Sequence, residues 1–295
     1  MTQRVPPAAP AWFRFGNPRS PSTGIALPDG GRLRCYDLGG HAESELLVVR
    51  DPGALDFFAR RGQELEPPAT LLPPVARPSK ILCLGKNYAA HAAEFGSAVP
   101  EEPMYFAKLA DTLIGDGTPI VLPHWVQTRI DHEVELGVIL GFDDPDQRGR
   151  KYVTAAQALE MVAGFTILND VTARRMQGDD RDKKQPWLRS KSFDTFCPLG
   201  PWVVPAAGLP GFADLEIELT VNGERRQHSR TSRMVVSVAD AIAFLSRHTS
   251  LRSGDVIAMG TPEGVGPLAA GDVVVARIEG IGTLTNPVVR EPAPA

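Results

Sequence analysis

The sequence predicts a β-rich α+β fold, on three observations. Residues 215–221 (LEIELTV) alternate strictly between apolar and polar side chains, and Asn222-Gly223 follows them, the strongest short-range signal for a hairpin. Residues 133–140 (EVELGVIL) alternate and then become wholly apolar, and 162–168 form a second apolar run; both are strand candidates. Regular alternation of strands and helices is missing, which argues against a TIM barrel or a Rossmann domain.

In chain order, residues 1–75 contain turn clusters at Gly16-Asn17-Pro18 and Pro28-Asp29-Gly30-Gly31 and short apolar runs such as Glu45-Leu46-Leu47-Val48-Val49. They read as a small, mostly β N-terminal domain ending in a Pro-rich joint (Pro67-Pro68, Pro73-Pro74, with Pro78 just beyond). Proline fixes φ and removes a donor, so the joint is extended and connective. Residues 76–290 read as the main domain and 291–295 as a tail. Within the main domain, 81–84 (ILCL) is a buried strand candidate and 238–245 a short amphipathic helix. Gly271-Asp272 and Gly280-Ile281-Gly282 punctuate the C-terminal strands.

Composition narrows the function. Of 295 residues, 43% are hydrophobic and 22% charged, ordinary for a soluble globular chain with a real core. The net charge of −4 argues against a nucleic-acid binder. No apolar run approaches the ~20 residues of a membrane span, and the N-terminus lacks the apolar core of a signal peptide. Cys35, Cys83 and Cys197 are far apart, odd in number and form no CxxC, which fits reduced thiols in a cytoplasmic protein.

Several side chains point to chemistry. Glu133 and Glu135 stand at i and i+2 of a strand candidate, so they share a face. Two carboxylates on one face repel unless a cation neutralises them; the plain alternative is an exposed or arginine-bound pair. Asp170 ends the other apolar run and can converge on the same point, or can merely cap a helix beginning at Val171-Thr172-Ala173-Arg174. Three hard oxygen ligands suit Mg²⁺, Mn²⁺ or Ca²⁺ better than zinc. His91 and Glu94, at i and i+3, share a helical face; a carboxylate beside histidine makes a candidate general base, the alternative being a surface pair. Lys108, Arg174, Gln177 and Lys191 are candidate anion binders, though surface lysines and arginines are common. The Gly-rich stretch 259–266 (MGTPEGVG) is no P-loop; Thr261 can donate from it to a ligand, or the stretch is simply a turn.

Together these segments resemble the fumarylacetoacetate hydrolase family. GKNYAAHAAE (85–94), YFAKLADTLIG (105–115), DHEVELGVILG (131–141), GFTILNDVTARRMQ (164–177), SKSFDTFCPLGPW (190–202), VNGERRQ (221–227), GDVIAMGTPEGVG (254–266) and GDVVVARIEGIGTLTN (271–286) stand in the family's order. The resemblance implies a mixed β-roll, a homodimer, and a Mg²⁺ or Mn²⁺ site on Glu133, Glu135 and Asp170. It implies that His91 and Glu94 position or deprotonate water, and that Arg174, Gln177 and Lys191 make substrate and oxyanion contacts. Thr261 matches the second threonine of the family's TGTP turn, and Met259 replaces the commoner first threonine. Where the family reads ARD, this chain has Ala173-Arg174-Arg175, a base in place of an acid that can alter an ion pair near the site. Residues 182–187 (DKKQPW) are similar to the acylpyruvate hydrolase branch.

The expected activity is metal-dependent hydrolysis of a C–C bond in a small 2-oxo or β-diketo acid such as an acylpyruvate or fumarylpyruvate, with Lys191, Lys108, Arg174, Gln177 and Thr261 around the substrate. Oxaloacetate-type decarboxylation, sugar-acid hydrolysis or dehydration, or isomerisation can use the same site. A non-catalytic binding protein would be expected to have lost the metal triad or the HxxE pair, and both are intact.

Overall fold

The computed structural model describes residues 4–30, 32–39, 43–144, 146 and 148–294. Gly31 of the second turn cluster and Ala295 of the tail lie outside the described residues.

Strands β1 (Ala11–Asn17), β2 (Ser20–Asp29) and β3 (Arg32–Asp37) form an antiparallel meander. The apolar run at 45–49 is not a strand: α1 (Glu43–Leu46) occupies its start, and Leu46 and Leu47 are buried. Helix α2 (Pro52–Ala59) has Asp51 as N-cap, accepting from the Gly53 amide, and proline in its first turn. β4 (Gln63–Leu65) pairs with β3. Residues 66–80 hold no regular element beyond an isolated bridge between Arg14 and Leu72.

The remainder supplies β5 (Ile81–Gly85), α3 (Ala89–Glu94), β6 (Met104–Lys108), β7 (Leu113–Ile114), β8 (Ile120–Leu122), β9 (Ile130–His132), β10 (Val134–Leu140), α4 (Ala155–Ala158), β11 (Val162–Asn169), β12 (Thr172–Ala173), α5 (Arg174–Asp182), α6 (Leu188–Lys191) and β13 (Cys197–Pro205). It ends with β14 (Glu216–Val221), β15 (Glu224–Arg230), α7 (Val238–His248), β16 (Val256–Ala258), β17 (Gly266–Pro267), β18 (Val273–Ile278) and β19 (Gly282–Arg290). The large sheet runs β4-β3-β2-β1-β13-β11-β10-β16-β5-β6, with β7 beside β13. The N-terminal strands therefore extend it, through Trp12 opposite Val203. A small sheet, β12-β9-β17, and a five-stranded sheet, β15-β14-β18-β19-β8, complete a mixed, sheet-rich α+β fold with open sheets. The β16–β5, β13–β7 and β19–β8 pairs are parallel.

Hydrophobic pattern explains the placement. β10, β11 and β13 are buried along their whole length, as their near-continuous apolar runs require. β14 alternates, and the hairpin closes with Val221 opposite Glu224. Its two turn residues, Asn222 (φ 53°) and Gly223 (φ 81°), take the positive φ values that a two-residue hairpin turn demands. Helix α7 is capped by Ser237, which accepts from the Asp240 amide, and buries Val238, Ala241, Ile242 and Leu245. All three cysteines are buried and unpaired.

One alternative left open by the sequence is excluded. The stretch from Val171 to Arg174 does not form a helix capped by Asp170. Thr172–Ala173 is strand β12, paired with β9, and α5 begins at Arg174 with Ala173 at its N-cap. The Thr172 hydroxyl donates to the Asp170 carbonyl (2.8 Å), and β-branched Val171 and Thr172 favour extended backbone.

Candidate active site

The site lies where two sheets part company. β9 belongs to the small sheet and β10 to the large one, so the chain changes sheets at Glu133. β11 and β12 make the same change around Asp170. The two crossings are tied together: the Asp170 amide donates to the Glu133 carbonyl (2.8 Å), and the Glu133 amide donates to Asn169 Oδ1 (2.9 Å). Backbone donors that leave a ladder inside a core must be satisfied elsewhere, and here they fix the fork. Glu133 sits outside the strand expected over 133–140. Even so, the carboxylates of Glu133, Glu135 and Asp170 converge, with ligand atoms within 4.8 Å of one another, and all three residues are buried.

Such a cluster is electrostatically incomplete alone. Lys191 Nζ lies 2.8 Å from Glu133 Oε2 and 2.5 Å from Asp170 Oδ2, and Lys108 Nζ lies 2.7 Å from Asp170 Oδ1. Arg174 uses all three guanidinium nitrogens. It donates through Nε to Asp131 Oδ2 (2.7 Å), through Nη1 to Gln177 Oε1 (2.7 Å), and through Nη2 to Glu133. Burial alone would raise the Glu133 carboxyl, but Lys191 and Arg174 outweigh it and hold it far below the usual carboxylate range. Burial lowers Lys191, and its two carboxylate partners reverse this, pushing it up to about 12. Glu135 differs. It accepts from the Gly260 amide (2.7 Å) and has no ion-pair partner among the described residues. Burial, then Asp170 and Glu133, push its carboxyl well above the ordinary value. The donor set, three buried carboxylates with one lacking an ion-pair partner, fits a hard cation, which Glu133, Glu135 and Asp170 could hold.

The Gly-rich stretch is part of this apparatus. Gly260 has φ +85°, and a Cβ there would stand 2.8 Å from Asn87 Cβ, so glycine is required where its amide meets Glu135. The Thr261 hydroxyl donates to the Val134 carbonyl (2.8 Å) and accepts from Gln227 Nε2 (2.8 Å), so its proton is committed within the protein. Gln227, on β15, also accepts from the Val134 amide (3.1 Å) and stands 3.1 Å from His132 Nδ1, clamping β10 and the loop together.

His91 and Glu94 lie on α3 with Nδ1 and Oε2 3.2 Å apart. The Gly264 amide donates to the Glu94 carboxylate (3.3 Å). The His91 ring meets Phe95 edge-on at 5.2 Å, and burial lowers its pKa below the ordinary imidazole value.

A cavity of about 240 Å³ joins these groups. Of the residues singled out from the sequence, His91, Glu133, Glu135, Arg174, Gln177, Lys191 and Thr261 line it. Asp170 and Lys108 lie behind, bonded to Lys191, and Glu94 braces His91. Leu84, Phe95, Phe106 and Trp187 give the cavity apolar walls. Arg175 does not alter the site: its side chain is 72% exposed and its nearest acid is Asp179, one turn along α5 at 4.0 Å. The acidic partner of Arg174 is instead Asp131, which the sequence reading left without a role. Gln227 and Asp131 were visible only as members of motifs, because their partners lie far away in the chain. A second cluster, Glu216, Glu218 and His228, sits at the surface, where arginines 277 and 225 already face its carboxylates.

Residues 80–289 match the fumarylacetoacetate (FAA) hydrolase C-terminal family. The bovine mitochondrial protein named oxaloacetate tautomerase FAHD2B is 43% identical over 254 residues, 84% of this chain and 77% of its own. The crystal structure of 5-carboxymethyl-2-hydroxymuconate delta-isomerase from Mycobacterium smegmatis is 38% identical with a TM-score of 0.75, covering 96% of this chain and all of that one. Fumarylpyruvate hydrolase from Pseudomonas aeruginosa, solved with Mn²⁺ and pyruvate, is 34% identical with a TM-score of 0.67, covering 77% of this chain and 94% of that one.

The geometry makes cation binding and stability one experiment. Glu135 has a raised folded pKa, so its ionisation opposes folding as pH rises from the ordinary carboxyl value through the folded one. At neutral pH, Mg²⁺ or Mn²⁺ at 100-fold over its Kd should stabilise the protein by about 2.7 kcal/mol. Glu135→Gln should match or exceed the metal-free wild type in thermal unfolding and lose the cation response. A wild-type cation shift in Glu135→Gln would contradict the assignment.

Proposed function

The chain belongs to the fumarylacetoacetate hydrolase family, and on that footing we propose that it is a divalent-metal-dependent hydrolase cleaving a carbon–carbon bond in a small 2-oxo acid of the acylpyruvate or fumarylpyruvate type. The observation that carries this reading is the His91–Glu94 pair at the cavity that also exposes Glu133 and Glu135. Glu133, Glu135 and Asp170 would hold Mg²⁺ or Mn²⁺. When bound, the cation supplies Lewis-acid polarisation of the 2-oxo acid's oxygens.

The protein's own groups do the rest. Glu94 accepts a hydrogen bond from His91 Nδ1–H, and that tautomer leaves Nε2 as a base. Burial keeps the ring neutral near pH 7. His91 would take a proton from water as the oxygen attacks the distal carbonyl carbon. The bond from that carbon to the adjacent methylene breaks, its electron pair passes to the 2-oxo acid fragment as an enolate, and the proton held by His91 is available to quench it. The Lys191 ammonium, in the cavity wall, would stabilise the negative charge as it develops. Gln177 accepts from Arg174, leaving its amide nitrogen for substrate.

A second reading, tautomerisation or isomerisation of a 2-oxo or 2-hydroxy polycarboxylic acid, is favoured by the names of the bovine and M. smegmatis relatives. It needs the enolate-stabilising groups and a proton relay but no attacking water, and metal-driven decarboxylation of oxaloacetate needs still less. The readings separate at His91. His91→Ala should reduce kcat on an acylpyruvate by about 10²–10⁴-fold and lower oxaloacetate decarboxylation much less, with Mg²⁺ affinity unchanged. Because only the neutral imidazole is competent, the wild-type rate should fall as pH drops through a value below about 6.5, and His91→Ala should lack that limb. An acylpyruvate rate within a few-fold of wild type would remove the hydrolase reading.

We also propose a two-fold homodimer. β6 ends the large sheet, and Tyr105 and Leu109 are 37% and 50% exposed along it and just beyond. Sedimentation equilibrium at micromolar concentration should give twice the 31.8 kDa chain mass, and a monomer alone would refute the dimer.

A further inference from the structure

Among the described residues the His91 imidazole has one hydrogen bond, to Glu94 at 3.2 Å. A single bond at one ring nitrogen leaves the ring plane free to turn about it, and a base that turns loses its aim at the proton it must take. The second restraint is aromatic. Phe95 meets the imidazole at 5.2 Å between centroids and 74° between planes, the edge-on arrangement that the ring quadrupole favours. The two residues stand at i and i+4, so the contact follows from the course of α3.

Phe95 is held in turn. The guanidinium carbon of Arg174 lies 5.1 Å from its ring centroid, a cation–π contact. Arg174 is fixed by Asp131, Gln177 and Glu133, so the ring rests on a group that does not move with α3. The backbone around Phe95 is closed as well. Its amide donates to the Ala92 carbonyl (3.3 Å), and the Gly96 and Ser97 amides donate to the Ala93 and Ala92 carbonyls (2.9 Å each). Glu133, Arg174, Phe95 and His91 thus form an unbroken run of contacts, and all four line the one cavity.

We propose that Phe95 is a positioning residue for the base: pinned by the Arg174 guanidinium, its ring sets the plane of the His91 imidazole relative to the carboxylate cluster. This rests on the reading of His91 as the group that takes a proton from water. The role requires a ring. Leucine would still give the cavity an apolar wall, but it offers no π face to the guanidinium and no aromatic partner to the imidazole. Tyrosine keeps both. Phe95 is 39% exposed just past the last turn of α3, so neither change opens the core.

A double-mutant cycle on the Mn²⁺-loaded protein, with 2,4-dioxopentanoate as the acylpyruvate, tests this. Phe95→Leu should lower kcat about tenfold and leave KM as in wild type. Its Mn²⁺ Kd, from titration calorimetry, should also match wild type, which reports an intact fold. Phe95→Tyr should keep the wild-type kcat. In the His91→Ala background Phe95→Leu should cost nothing further, because the group it positions is gone. A wild-type kcat in Phe95→Leu, a tyrosine variant as slow as the leucine one, or the same tenfold loss without His91 overturns the positioning role alone. A wild type that does not hydrolyse the acylpyruvate, or that loses only a few-fold on His91→Ala, overturns the hydrolase reading and this role with it.

Discussion

Glu135 is the residue on which the rest of the site depends. It is a buried carboxyl beside two others, with a single backbone amide for company and no cation in ion-pair contact among the described residues. A buried negative charge in that position is tolerated only if something positive completes it. The nearby basic groups are directed elsewhere: Lys191 and Lys108 to Asp170 and Glu133, Arg174 to Glu133 and Asp131. The protein thus balances most of the cluster with its own side chains and leaves one acid unbalanced, at the wall of a cavity.

The backbone arrangement follows from the same constraint. Three carboxylates from two strands can meet only where those strands stop pairing normally. The transfer from small sheet to large sheet at Glu133, matched by the transfer around Asp170, creates that place. Asn169 and Gln227 then satisfy the donors released by the change. Gln227 couples the cluster to the Gly-rich loop through Thr261, and Gly264 of that loop donates to Glu94. Base, loop and carboxylate cluster are in this way one hydrogen-bonded unit, which suits chemistry that needs a proton acceptor held at a fixed position relative to charge stabilisers.

Much of this could be read from the sequence wherever the signal is local. The EVELGVIL run gave a strand with its acids at the mouth, the run ending in Asn169-Asp170 gave its neighbour, and Asn222-Gly223 gave the hairpin. The i, i+3 spacing of His91 and Glu94 gave the pair that the structure brings together. What escaped was long-range. Gln227 is separated by 95 residues from His132 and by 93 from Val134, and no local pattern announces such a bond. Asp131 looked like a residue preceding the important glutamates, and only the fold shows it taking the acidic role that Arg175 was expected to disturb. Thr172–Ala173 was open to a helical reading because a two-residue strand has no periodicity to read.

The central claim is that the three converging carboxylates hold a divalent cation. Anomalous diffraction from crystals equilibrated with Mn²⁺ tests it most directly. A dominant anomalous peak bonded to oxygens of Glu133, Glu135 and Asp170, and absent in Glu135→Gln crystals, is the expected result. A peak confined to the surface group of Glu216, Glu218 and His228, with none at the buried cluster, would contradict it.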